Sequence, residues 1–100
     1  MCGAVFAEIA ASPYVDERFV ADFLEDTEIG VDYLLGEEIW RLAAARYRNY
    51  VERRGRHQKA FERRLIADYI IGAHALVQAD RLMTMDRRRY EQDFPELKLI

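Results

Sequence analysis

Residues 65–86, LIADYIIGAHALVQADRLMTMD, restrict this chain more than any other stretch. Asp68 falls in the first turn of an otherwise apolar helix. A short connection then leads into the expected strand Leu82 to Met85, and Asp86 follows where that strand stops. Carboxylates rarely sit in such surroundings without a partner, because removing a bare charge from water is expensive. Two of them at one edge of a sheet can hold a divalent cation. The flanks of Asp68 are Leu65, Ile66, Ala67, Tyr69, Ile70 and Ile71, which leave little room for a solvated face. The same stretch carries Asp68, His74 and Gln78, so it reads as a buried helix and not a membrane span.

Charge along the chain is uneven. Residues 1–40 hold ten acids and one base, net −9; residues 41–64 hold nine bases and two acids, net +7; the remainder is net −1. A basic stretch beside an acidic half suits a polyanionic substrate or an oppositely charged partner. With 51% hydrophobic and 33% charged residues, the chain can build a core and is not of a disordered type. Its length fits one domain spanning residues 1–100. Cys2 is the single cysteine, which excludes a disulfide framework and points to the reducing cytoplasm. The N-terminus lacks the basic start of a signal peptide, and Glu8 interrupts its apolar run.

Periodicity predicts a helix over 3–11 with Val5, Phe6 and Ile9 on one side, ended by Ser12-Pro13. Asp16 is the expected N-cap of a second helix carrying Phe19, Val20, Phe23 and Leu24. Residues 29–35 read as a short strand ended by Gly36. Glu37 and Glu38 favour the start of a long helix, with Trp40, Tyr47 and Tyr50 in its stripe and Gly55 as its stop. A helix over 65–79, a strand over 82–85, a short helix over 86–93 and a strand over 97–100 complete the expectation. Alternating strands and helices make an α/β layered fold the default.

Each candidate has a plain alternative. An ordinary acid at a helix start is the usual explanation for Asp68, against which its apolar flanks tip the balance; Asp86 taken alone is better read as an N-cap. Thr84 can hydrogen-bond a carboxylate or a water, yet a strand threonine needs no function. Glu8, among alanines, leaves a hollow for a cation or is simply exposed. His74 reads as structural. Trp40, Tyr47 and Tyr50 can stack on bases, but such a stripe is more often core. Arg53, Arg54, Arg56, Lys59, Arg63 and Arg64 can track a phosphate backbone or form a solvated connection. The chain has no Gly-rich phosphate loop, GxSxG elbow or HExxH motif.

In their order, AVFAEIAA, the long basic-ended helix, LIADYIIGAHAL, RLMTMD and FPELKLI resemble the PIN-domain ribonucleases, in particular VapC-like toxins of toxin–antitoxin pairs. The resemblance implies a three-layer α/β/α fold with a mainly parallel sheet. It matches Glu8, Asp68 and Asp86 to three acidic positions that bind Mg²⁺ or Mn²⁺ and carry catalysis. It implies a metal-dependent endoribonuclease acting on structured RNA, with a cognate antitoxin and a homodimer as partners. The family's fourth acid, in a DTN-like motif on a first strand, has no counterpart; Asp26-Thr27 is not preceded by an apolar strand. The chain is therefore expected to lack the family's first strand, first helix and second strand. That makes an inactive, N-terminally truncated domain, or a remnant that binds an antitoxin-like partner or RNA, the alternative expectation.

Overall fold

The computed structural model describes residues 1–55 and 65–100. The chain divides into two compact units, Met1–Leu34 and Leu35–Ile100.

The first unit holds α1 (Gly3–Ala10) and α2 (Glu17–Thr27), which touch each other. Asp16 caps α2 as expected: its Oδ1 accepts the Phe19 amide at 2.7 Å, satisfying one orphan donor of the first turn. At the other end Glu28 adopts a left-handed conformation, φ 56°, and its amide donates to the Glu25 carbonyl. The apolar side of α1 is not enclosed: no α1 residue is buried, and the Phe6 ring meets Tyr33 edge-on at 5.5 Å. Cys2 and Val20 are the buried apolar side chains of this unit.

The second unit is built on α3 (Glu37–Arg54), α4 (Leu65–Gln78) and α5 (Arg87–Asp93). Acids open α3 and Arg53 and Arg54 close it, so both ends complement the helix dipole. Gly55 ends it at φ 75°, where a side chain would be strained, and its amide reaches the Val51 and Glu52 carbonyls. The helix packs along α4 and also touches α5. Tyr69 is the centre of the core and fully buried. Its ring lies 5.0 Å from Tyr47, 5.9 Å from Tyr50 and 6.0 Å from Phe94. Phe94 lies so close to Gly72 that a β-carbon there would sit 2.5 Å from the ring. Hydrogen there is what lets the ring reach the helix backbone. Ile39, Ala43, Ile70, Ile71, Ala73, Ala75 and Tyr90 fill in around it.

The expected α/β/α fold with a parallel sheet is overturned: among the described residues the chain is all-helical, with no strand and no sheet. Two single parallel bridges form, Cys2 with Asp32 and Leu82 with Leu99, so each segment expected as a strand contributes one bridging residue. Around the second, Leu82 donates to the Lys98 carbonyl at 2.8 Å and Ile100 donates to Leu82 at 3.0 Å. The reason is lack of continuation. In 29–35, Gly30 and Asp32 are poor strand formers. In 82–85, Met83 and Met85 lie in solvent, so the alternate side chains bury nothing. A lone two-stranded pairing is at best marginal in water, and here each stops after one bridge.

Candidate anion cleft

Arginines from α3 and α5 converge on Tyr50. The guanidinium carbons of Arg53, Arg54 and Arg89 lie 5.6, 5.5 and 5.8 Å from the centre of its ring, within cation–π range. Arg54 Nη1 also donates to the Tyr50 hydroxyl at 2.6 Å. Beside this stack lies a polar cleft of about 310 Å³, lined by Tyr50, Arg54, Asp86, Arg88, Arg89, Gln92 and Asp93. Three arginines face two aspartates there.

Asp93 is already neutralised. Its side chain is 3% exposed. Arg53 Nη1 meets Oδ1 at 2.9 Å and the Tyr69 hydroxyl donates to Oδ2 at 2.8 Å. Burial, then the bond to Asp93, pushes the Tyr69 phenol well above its usual range. Arg46 extends the network. Its Nη1 donates to the Asp93 carbonyl at 2.9 Å, and both terminal nitrogens reach the Glu96 carboxylate at 3.1 and 2.5 Å. That forked hydrogen bond holds Glu96 below the usual glutamate range and raises Arg46. The hydrogen bond to Asp93 likewise raises Arg53.

Arg89 is held differently. Its Nη1 stands 3.5 Å from Asp68 Oδ2 and its Nε 4.0 Å from Asp86 Oδ2. Both nitrogens are buried and make no hydrogen bond among the described residues. Leaving such donors unsatisfied costs about 1–3 kcal/mol each. The cleft therefore keeps a cationic group that its aspartates attract but do not saturate.

Of the predicted site residues, the structure brings Asp68 and Asp86 to one guanidinium. Asp68 lies in the first turn of α4, as expected. Asp86 stands at the N-cap position of α5, but its side chain makes no capping bond. Thr84 Oγ1 accepts the Asp86 amide at 3.1 Å, so it shapes the turn into α5. Glu8 is exposed on α1, in the other unit. Arg53 serves Asp93, and Arg54 reaches the cleft. Arg56, Lys59, Arg63 and Arg64 lie outside the described residues. Tyr47 and Tyr50 join the core ring cluster, while Trp40 is half-exposed and donates to the Leu35 carbonyl at 3.0 Å.

Sequence reasoning missed Arg88, Arg89, Gln92 and Asp93. The run Arg87-Arg88-Arg89 immediately after Asp86 was the available signal. At i and i+3, Asp86 and Arg89 share a helix face, and Asp93 follows one turn beyond Arg89. Among the described residues, no group of three or more histidine, cysteine or acidic side chains gathers in a way that could hold a metal ion. The space that a cation would take between Asp68 and Asp86 is contested by Arg89.

A second concavity, about 390 Å³, runs between α3 and α4 and is almost wholly apolar. Trp40, Ala43, Tyr47, Val51, Ile66 and Ile70 are among its walls. Among the described residues no helix is long and apolar enough to cross a membrane. No protein-family model matches this chain, and neither a curated protein nor a solved structure does.

Proposed function

We propose that this chain binds RNA, gripping phosphate at the cleft between the end of α3 and α5. The observation that carries the reading is the convergence of Arg54, Arg88 and Arg89 on one polar cleft. Guanidinium groups suit phosphate because they donate in a planar fork and stay charged. In sequence, α3 is followed by Arg56, Lys59, Arg63 and Arg64, which extend the basic stretch of the chain. The test is a salt titration of single-stranded RNA binding. Arg88→Gln removes an exposed charge that makes no ion pair among the described residues. It should weaken binding and flatten the slope of log K against log salt by about 0.7. A slope identical to the unsubstituted chain's would refute the assignment.

A second reading, a Mg²⁺- or Mn²⁺-dependent endoribonuclease of the PIN or VapC kind, rests on the sequence resemblance that matches Glu8, Asp68 and Asp86 to metal-binding acids, and it requires a cation to displace Arg89 from between Asp68 and Asp86. A protein partner of the antitoxin type, or a second copy of the chain, would find its apolar surface in the α3–α4 groove. This reading expects structured RNA to be cut when Mg²⁺ or Mn²⁺ is added and spared in EDTA, with Asp68→Asn and Asp86→Asn each abolishing the cut. Cutting that survives EDTA or both substitutions would sink it.

A further inference from the structure

Resting on the RNA reading, we infer that the cleft is a pocket for a terminal phosphate monoester of a nucleotide chain and not a track for internal phosphodiesters. Its size comes first. About 310 Å³ is at the small end of ligand sites and suits one nucleotide. Its charge is focused as well. Arg54 at the end of α3 and Arg88 and Arg89 on α5 line one cleft, whereas a backbone track spaces its cations along a surface. A monoester rewards that focus: it carries about −1.5 to −2 charges near neutral pH and offers three strong acceptor oxygens. An internal phosphodiester brings one charge and two free oxygens.

Arg89 is the group a phosphate can recruit. Its contacts with Asp68 and Asp86, at 3.5 and 4.0 Å, are long, against 2.9 Å for Arg53 on Asp93. Its Nε and Nη1 are enclosed, so a phosphate in the cleft meets Arg89 as a charge held over the Tyr50 ring.

Asp86 then explains the acid at the rim. Its side chain is 63% exposed and lines the cleft with Gln92. A carboxylate beside a phosphodiester track would repel the strand. Beside a terminal nucleotide it can accept from ribose hydroxyls, while Gln92 offers both donor and acceptor. Acid and arginines thus sort one ligand into a sugar end and a phosphate end.

The experiment measures fluorescence anisotropy of the full chain with one RNA oligonucleotide made in three forms: 5′-hydroxyl, 5′-phosphate and 3′-phosphate. One phosphorylated form should bind at least tenfold more tightly than the hydroxyl form. Arg88→Gln, exposed and outside the core, should erase most of that preference. Equal affinity for all three forms overturns the pocket and leaves RNA binding standing. No binding of any form overturns both. A preference that survives both Arg88→Gln and Arg54→Gln also overturns the pocket, because the phosphate is then read elsewhere.

Discussion

The unit Met1–Leu34 is richer in apolar residues than Leu35–Ile100, yet it buries fewer of them. In the first, burial is confined to Cys2 and Val20, while Tyr14, Phe19, Tyr33 and Leu34 stay largely in solvent. In the second, α3, α4 and α5 enclose Tyr69 and Phe94, and a buried carboxylate, Asp93, is answered on both oxygens. Helix formation is equally good in both, as the Asp16 and Gly55 ends show. What separates them is side-chain enclosure. Most helical stability in proteins comes from packing an apolar face, not from propensity. Regions with few buried apolar contacts open at lower free energy. The cleft belongs to the enclosed unit, where Arg54 and Arg89 both lie over the Tyr50 ring.

Phe94→Ala should break the comparison most severely. It removes a fully buried ring that touches Tyr69, Tyr90 and the Arg46 guanidinium. Such truncations cost about 3–5 kcal/mol, more than a chain of this size can readily spare. Native-state hydrogen exchange of the unsubstituted chain provides the baseline, with amides of α3 and α4 exchanging far more slowly than those of α1. Equal protection in α1 and α4, or a Phe94→Ala chain whose urea midpoint does not fall, would end the distinction.

Gly72→Ala sharpens the same point with a single methyl group. Alanine gains about 1 kcal/mol in helix propensity over glycine, but the β-carbon would press on Phe94 at 2.5 Å. Overpacking of this kind costs about 1–3 kcal/mol, so the net effect should be destabilising. Combining it with Phe94→Leu should recover part of the loss relative to the sum of the two single changes, because the clash disappears. Strict additivity in chemical denaturation would show that the ring and the helix do not meet as described.

Glu96 gives the smallest effect and one tied to pH. Arg46 lowers its folded-state pKa below that of the unfolded chain. The pair therefore stabilises above the unfolded pKa, and that contribution fades as pH falls through the folded one. Glu96 is 48% exposed, so screening limits the contribution to about 0.2–1 kcal/mol. Thermal melts between pH 6 and 3 should show a slightly shallower fall in Tm for Glu96→Gln. Parallel curves would mean that the forked pair contributes no measurable stability.

Much of the local structure was legible because it depends on neighbours in sequence. Asp16 caps α2, acids open α3, Gly55 ends it, and Asp68 lands in the first turn of α4, all readable from spacing. The site was legible only in part. Asp68 and Asp86 were expected together at the edge of a sheet; no sheet forms among the described residues, and they meet instead at Arg89, which the sequence did not signal. Arg54 was readable as a phosphate candidate, whereas Asp93 gave no local sign that it would be buried between Arg53 and Tyr69.

Neighbours along the chain set where the helices start and stop, since caps, dipole charges and glycine conformations act over one turn. Residue order also sets the uneven charge that makes the end of α3 basic. Only the tertiary structure decided whether the apolar segments 29–35, 82–85 and 97–100 would pair, because a strand is completed by distant partners, and here each stops at one bridge. It likewise decided that Arg88 and Arg89 share a cleft with Arg54. That juxtaposition depends on α5 packing against α3, which no spacing along the chain can encode.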